Sequence, residues 1–272
     1  VFRRASEAMA GRRLDVELAE RGLVPSREQA RAAILEGRVS VNGAVITKAG
    51  ASVAPESAIN VTPGAPFVSR GGVKLAGALD AFGIDPKGLR AIDVGASTGG
   101  FTDCLLQQAA ASVTAVDVGY GQLAWSLRND SRVRVLERTN IRSADPEVLG
   151  GPYDLAVIDV SFIGLAKVLP FVLPLLTANG SVIALVKPQF EAGKGRVGKK
   201  GVVRDAGVHC DVLESVVGAV EAAQWVVRGF RGPLITGPEG NIEFWIWAAR
   251  TGEPEADEPA AVVAAAHAAL GG

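Results

Sequence analysis

AIDVGASTGGFTD, residues 91–103, decides how the rest of the chain reads. Ala91–Val94 is an apolar run interrupted by one acid, Asp93, and Gly95, Gly99 and Gly100 follow it. The pattern predicts a buried strand, a tight turn and then a helix. Glycines at such a turn let the backbone approach a ligand, and the helix start offers unpaired N–H groups. The spacing is not G-x-G-x-x-G, and no G-K-[ST] follows to make a P-loop. A second acid, Asp117, ends the next apolar run, where a carboxylate commonly accepts hydrogen bonds from a ribose diol. A tight turn with no ligand remains the alternative.

Outward from this turn, strands alternate with helices. Strands are predicted at 89–94, 112–117, 132–136, 153–159, 181–187, 225–230 and 242–249, and helices at 71–82, 99–110, 122–129, 163–176 and 207–223. Near-continuous apolar strands joined by helices indicate an α/β, doubly wound, mostly parallel sheet. No helix separates the last two strands, so one of them is expected to run antiparallel. Residues 13–61 have a shorter period. They predict two helices, RLDVELAERGL and SREQARAAILEG, the second opened by Ser26 with Gln29 three residues on. A hairpin turning at Asn42-Gly43 follows, then a strand at 59–61. The Pro- and Gly-rich VTPGAP marks a boundary. The expected division is 1–62, a linker at 63–68, a large domain at 69–252, and an acidic then Ala-rich tail at 253–272 that forms a short helix.

Composition narrows the class. Two cysteines are too few for a disulfide framework, which predicts a reducing compartment. The basic N-terminus has no apolar h-region after it, so no signal peptide is expected, and Val1 and Met9 are both candidate starts. The most apolar long stretch, 165–176, is too short and too interrupted to span a bilayer. A cytoplasmic protein is expected. Net charge is −1, so any nucleic-acid contact must come from local basic patches.

D-x-G-x-x-x-G with a second-strand Asp resembles the S-adenosylmethionine loop of class I methyltransferases. Four ionisable residues then stand out: Asp159, Lys187 and Glu243 at strand ends, and Lys74 at a helix entry. Each alone has an ordinary structural reading, as a cap, a snorkelling lysine or a surface charge. Beside a cofactor loop they suggest catalysis. A hydroxyl acceptor needs its proton removed or its lone pair aimed, and a buried amine beside a second cation suits either task. The two carboxylates would hold the lysines. Asp159-Val160-Ser161-Phe162 lacks the prolines of the [ND]-P-P-[YF] motif that grips a planar base. Cys104 and Cys210 both fall in predicted helices, not at strand ends, which disfavours a cysteine nucleophile. Transfer to oxygen is the best-supported chemistry.

FVSRGGVKL, DVGASTGGFTD, DVGYGQLAWSLRND, LERTNIR, DVSFIGL, LVKPQFEAGKG and GNIEFWIW, in this order, resemble the TlyA family of ribosomal RNA 2′-O-methyltransferases, within the FtsJ-like group. The resemblance covers nearly the whole chain. It implies a seven-stranded Rossmann-like methyltransferase sheet and a small N-terminal α+β RNA-binding domain of the ribosomal protein S4 type. It implies a catalytic tetrad of Lys74, Asp159, Lys187 and Glu243, and S-adenosylmethionine at Asp93, Gly95, Ala96, Ser97, Thr98, Gly99, Gly100, Phe101, Asp117, Asn140 and Asp159. The implied reaction is 2′-O-methylation of cytidine in ribosomal RNA, in both subunits as in the longer members of the family. The stretch Ala65-Pro66-Phe67-Val68 departs from the basic-aromatic linker of related chains. Some members carry the label haemolysin, but no amphipathic or spanning segment supports a pore.

Arg3, Arg4, Arg12, Arg13, Arg27, Arg31 and Arg38 crowd the first 40 residues, offset in number by Asp15, Glu17, Glu20, Glu28 and Glu36. Arg27 and Arg31 share a helix face. An RNA face and a salt-bridged surface helix are equal readings of that pattern alone. Lys194, Arg196, Lys199, Lys200 and Arg204 lie among glycines, a mobile basic loop suited to RNA, and Arg70 is a further candidate. Few aromatics argue for recognition of folded RNA by shape and backbone. No metal signature, membrane contact or obligate protein partner is evident. The competitors are methylation of another structured RNA and a non-catalytic ribosome-assembly factor.

Overall fold

The computed structural model describes residues 11–193, 195–232, 236–237, 239–254 and 258–270, and the Lys199 side chain is outside that description. The chain divides into two compact units, one ending at Ala65 and one beginning at Pro66.

In the first unit, β1 (Arg12–Arg13) leads into α1 (Leu14–Glu20), and α2 (Arg27–Leu35) follows. The Ser26 hydroxyl accepts from the Gln29 N–H and caps α2, as the Ser-x-x-Gln pattern predicts. β2 (Val39–Val41) and β3 (Ala44–Val45) form a hairpin. Its turn needs positive φ at both central residues, and Asn42 (49°) and Gly43 (84°) supply it. β4 (Ser52–Val53) pairs with β1, and β5 (Ile59–Val61) pairs with β2. Leu14, Leu18, Ala30, Ala33, Ile34, Val39 and Val53 make the core. Each fully buried Leu or Ile among them contributes about 1.5–3 kcal/mol of transfer free energy.

The second unit is built in chain order from α3 (Arg70–Phe82), β6 (Arg90–Val94), α4 (Gly100–Gln107), β7 (Ser112–Val116), α5 (Trp125–Arg128), β8 (Val133–Leu136), α6 (Pro146–Leu149) and β9 (Tyr153–Ile158). α7 (Leu169–Val172), β10 (Leu176–Val186), α8 (Pro188–Glu191), α9 (Ala206–Ala222), β11 (Val226–Arg231), β12 (Phe244–Ala249) and α10 (Pro259–Leu270) complete it. Among the described residues seven strands form one sheet, ordered β11-β12-β10-β9-β6-β7-β8. β12 runs antiparallel to both of its neighbours, and the other pairings of this sheet are parallel.

Alternate residues of each strand face opposite layers. Ile92, Val94, Ala156, Ile158, Val182 and Ala184 pack with α7, α9 and α10 on one side. Ala91, Val113, Leu155, Val157, Ile183 and Leu185 pack with α3 and α4 on the other. This is the doubly wound α/β architecture expected, with helices covering both faces.

Two expected helices differ. The helix over 163–176 is broken into a 3-10 turn at Leu165–Lys167, α7, and a second 3-10 turn at Leu173–Leu175. Pro170 and Pro174 lack the N–H that a continuous helix requires, and their rings clash with the preceding turn. The helix over 122–129 shrinks to α5, because the Ala124 N–H donates to the Thr98 carbonyl at 3.1 Å and not to a carbonyl one turn back, and Ala124 is not helical (φ −54°, ψ 139°).

Candidate active site

Parallel strands all end at one edge of the sheet, and the loops there carry the site. Asp159, one residue past β9, and Lys187, one past β10, stand at that edge. Glu243 precedes β12 and reaches the same edge only because β12 is antiparallel: Phe244 sits opposite Val186. Lys74 comes from the first turns of α3, which Ser69 caps by accepting from the Gly71 N–H.

These four side chains form two ion pairs. Lys74 Nζ lies 2.6 Å from Glu243 Oε2, and Lys187 Nζ pairs with Asp159 Oδ1. Lys187 also donates to Ser161 Oγ at 3.2 Å, and Gln189 donates to the other Glu243 oxygen at 3.4 Å. Glu243 is 2 % exposed, so its charge depends on these partners. Each lysine thus has one carboxylate partner, Glu243 for Lys74 and Asp159 for Lys187. Pro188 opens α8 directly after Lys187. Its ring suits the first helical position and turns the chain where the amine is presented.

Two hollows adjoin this edge. One, of about 490 Å³, is lined by Gly95, Ser97, Asp117, Asn140 and Asp159 with apolar walls from Val94, Val116, Ile141 and Val160. The other, of about 250 Å³, is lined by Lys74, Lys187, Glu243, Asp159, Arg70 and the Gly95–Thr98 turn. They share Gly95, Ser97 and Asp159, so they adjoin at the glycine turn. Gly95 has φ +87°, and a Cβ there would stand 2.3 Å from the Asp159 carbonyl oxygen. Asp117 accepts from the Ser97 N–H at 2.8 Å, tying the turn to β7.

Ala96, Thr98, Gly100 and Phe101 line the smaller hollow, whereas Asp93 and Gly99 line neither. Gly99 instead takes positive φ as the cap of α4. Asp93 is fully buried beneath α4, where one oxygen accepts from the backbone N–H and hydroxyl of Thr102. Burial pushes its carboxyl up to about 7. Cys104 is fully buried and its thiol is pushed up to about 12 by burial, which makes it a poor nucleophile. Among the described residues no group of three or more His, Cys, Asp or Glu side chains is placed to hold a metal ion.

Gln122, Arg142, Ser161 and Phe162 also line the larger hollow and were not singled out from sequence. Phe162 is 90 % exposed at φ +66°, a costly conformation for a bulky residue. Its place three residues after the acid in D-V-S-F was the available signal.

Among the basic candidates, Arg13, Arg27 and Arg31 converge on Asp15, whereas Arg12 pairs with Glu20 and Arg38 with Glu36. Arg196 pairs with Asp211, and Lys200 joins Arg196 and Arg204 around a separate hollow. Arg3, Arg4, Lys194 and the Lys199 side chain lie outside the described residues.

The profile of the FtsJ-like methyltransferase family matches residues 67–250. The chain belongs to that family. Residues 12–59 match the S4 domain. The FtsJ-like chain is 47% identical over 237 residues to the 16S/23S rRNA (cytidine-2′-O)-methyltransferase TlyA of Mycobacterium tuberculosis, covering 86% of this chain and 88% of that one. It is 36% identical to Hemolysin A of Brachyspira hyodysenteriae, covering 85% and 97%. A solved structure from Streptococcus thermophilus is similar with a TM-score of 0.72 and 42% identity, over 96% of this chain and 97% of that one. No helix among the described residues of this FtsJ-like protein is long and apolar enough to cross a membrane.

Proposed function

We propose that this protein transfers a methyl group from S-adenosylmethionine to the 2′-hydroxyl of cytidine in ribosomal RNA, in both subunits. The observation that carries the reading is the pair of lysine–carboxylate contacts, Lys74–Glu243 and Lys187–Asp159, around a hollow that opens onto the glycine turn. The name of the Mycobacterium tuberculosis relative supports the substrate.

The residues present fit the cofactor. Apolar walls at Val116 and Ile141 suit a flat ring, Asp117 is a carboxylate at a strand end, and glycine at 95 is required by the close approach of Asp159. S-adenosylmethionine supplies a methyl group activated on a sulfonium. Gly95, Ser97, Asp117, Asn140 and Asp159 would hold it. Lys187 would aim the acceptor hydroxyl or, as the neutral amine, take its proton, with Lys74 beside it as the second cation and Asp159 and Glu243 fixing the two side chains. Phe162 offers an exposed ring face to the target base. In this scheme residues 1–62 dock RNA, 63–68 link, 69–252 carry the transfer, and 253–272 are a tail.

The test is incubation of the purified protein with each unmethylated ribosomal subunit and methyl-labelled cofactor, followed by nucleoside digestion. Label in 2′-O-methylcytidine from both subunits is expected. Label confined to a different nucleoside or a different RNA, or none at all, overturns the reading.

A further inference from the structure

Asp15 is the one acid in the first unit's arginine-rich helices that three arginines share among the described residues. Its side chain is fully buried, yet three half-exposed guanidinium groups meet on it. Arg13 binds it with two nitrogens, at 3.0 and 3.2 Å. Arg27 and Arg31, one turn apart on α2, each donate Nε to the same Oδ2, at 2.9 and 3.0 Å. Arg27 and Arg31 therefore spend one N–H each on Asp15, and their four terminal nitrogens, with eight N–H donors, have no partner among the described residues. Arg21 is different: it gives its donors to Glu17 and to the carbonyls of Ser57 and Pro55, so it is consumed inside the unit. Arg12 is balanced by Glu20.

One carboxylate against three guanidinium groups leaves a local charge of +2. The Arg13 fork, against the cost of burial, and then Arg27 and Arg31, hold the Asp15 carboxyl well below the usual carboxylate range, so it stays ionised. A long arginine side chain loses much rotamer freedom when it grips a phosphate. Three arginines already held on Asp15 through Nε have lost part of that freedom beforehand.

We propose that Asp15 is a positioning residue that assembles Arg13, Arg27 and Arg31 into a preformed clamp for RNA phosphates. This rests on the ribosomal RNA reading above. It carries a sign that simple charge counting contradicts: deleting a negative charge from an RNA-binding surface should weaken RNA binding.

The test uses the full chain with unmethylated ribosomal subunits as the probe. Asp15→Asn is expected to raise the dissociation constant and KM for the subunit about tenfold and to leave kcat at saturating subunit within twofold. The slope of log affinity against log salt is expected to flatten by about one or more, as phosphate contacts are lost. In an Arg27→Ala/Arg31→Ala background the same change is expected to add less than twofold, because Asp15 acts through those residues. A folded Asp15→Asn protein that binds the subunits as tightly as wild type, or more tightly, overturns the proposal. If Asp15→Asn melts at room temperature, the charge-conserving triple variant Arg13→Lys/Arg27→Lys/Arg31→Lys decides. A tenfold loss supports the fork clamp, and unchanged affinity refutes it. Wild-type protein that binds no ribosomal RNA refutes the functional reading itself, a result distinct from all of these.

Discussion

The Lys74 ammonium and the Glu243 carboxylate stand 2.6 Å apart although 169 residues separate them in the chain. α3 brings one and the antiparallel β12 brings the other, so this contact closes the active-site edge from opposite ends of the domain. It is mostly buried, with the lysine 13 % and the glutamate 3 % exposed at the side chain. Removing one partner leaves the other buried and uncompensated. Glu243→Gln is therefore expected to lower the melting temperature and slow methyl transfer, and combining it with Lys74→Met should cost much less than the sum of the two single changes. Additive losses would show that the two residues act independently.

Lys187→Ala is expected to slow single-turnover methyl transfer by about 10²–10⁴-fold, the usual range for a positioned acid–base group. Cofactor affinity by calorimetry should change little, because Lys187 lines the smaller hollow and not the larger one. A variant as fast as wild type would remove Lys187 from the chemistry.

Gly95→Ala forces a side chain into positive φ and against the Asp159 carbonyl. The expected cost is about 2 kcal/mol or more in stability, with at least a tenfold loss of cofactor affinity. Chemical denaturation and calorimetry measure the two effects. Retained cofactor affinity would mean that the turn does not shape the cofactor hollow.

Acid should loosen the packing of α10. His209 Nδ1 lies 2.9 Å from His267 Nε2, joining α9 to α10. Burial first, and then the nearby His267, push His209 down from 6.5 to about 4. A depressed histidine binds its proton more readily when unfolded, so stability rises with pH between the two values and is lost as pH falls from about 6.5 toward 4. The full span corresponds to roughly 3 kcal/mol. The melting temperature should fall between pH 7 and pH 5, and His209→Gln should flatten that slope. An unchanged slope in the variant would assign the acid sensitivity elsewhere.

Cys104→Ala should leave methyl transfer nearly intact, since the thiol is fully buried in the core beneath the sheet. The expected change is a modest stability loss seen in melting. Abolished transfer in a folded variant would reopen cysteine chemistry.

Local sequence was sufficient for much of this. Near-continuous apolar runs and turn glycines marked the strands and the glycine turn after β6, because burial and backbone freedom act on neighbouring residues. Ser26 with Gln29 marked the start of α2, and Asn42-Gly43 marked the hairpin. The types Lys, Asp, Lys and Glu at their positions also suggested the chemistry. Sequence could not pair them. Lys74 finds Glu243 and Lys187 finds Asp159 because strand order and the reversed direction of β12 bring distant ends to one edge. The prolines in 163–176 were visible, yet the apolar period still suggested one helix where the backbone could not close its hydrogen bonds. Asp15 looked like one more offsetting acid. Only the packing of α1 against α2 buried it among three guanidinium groups, because a charge's role depends on which partners the fold places within hydrogen-bonding reach.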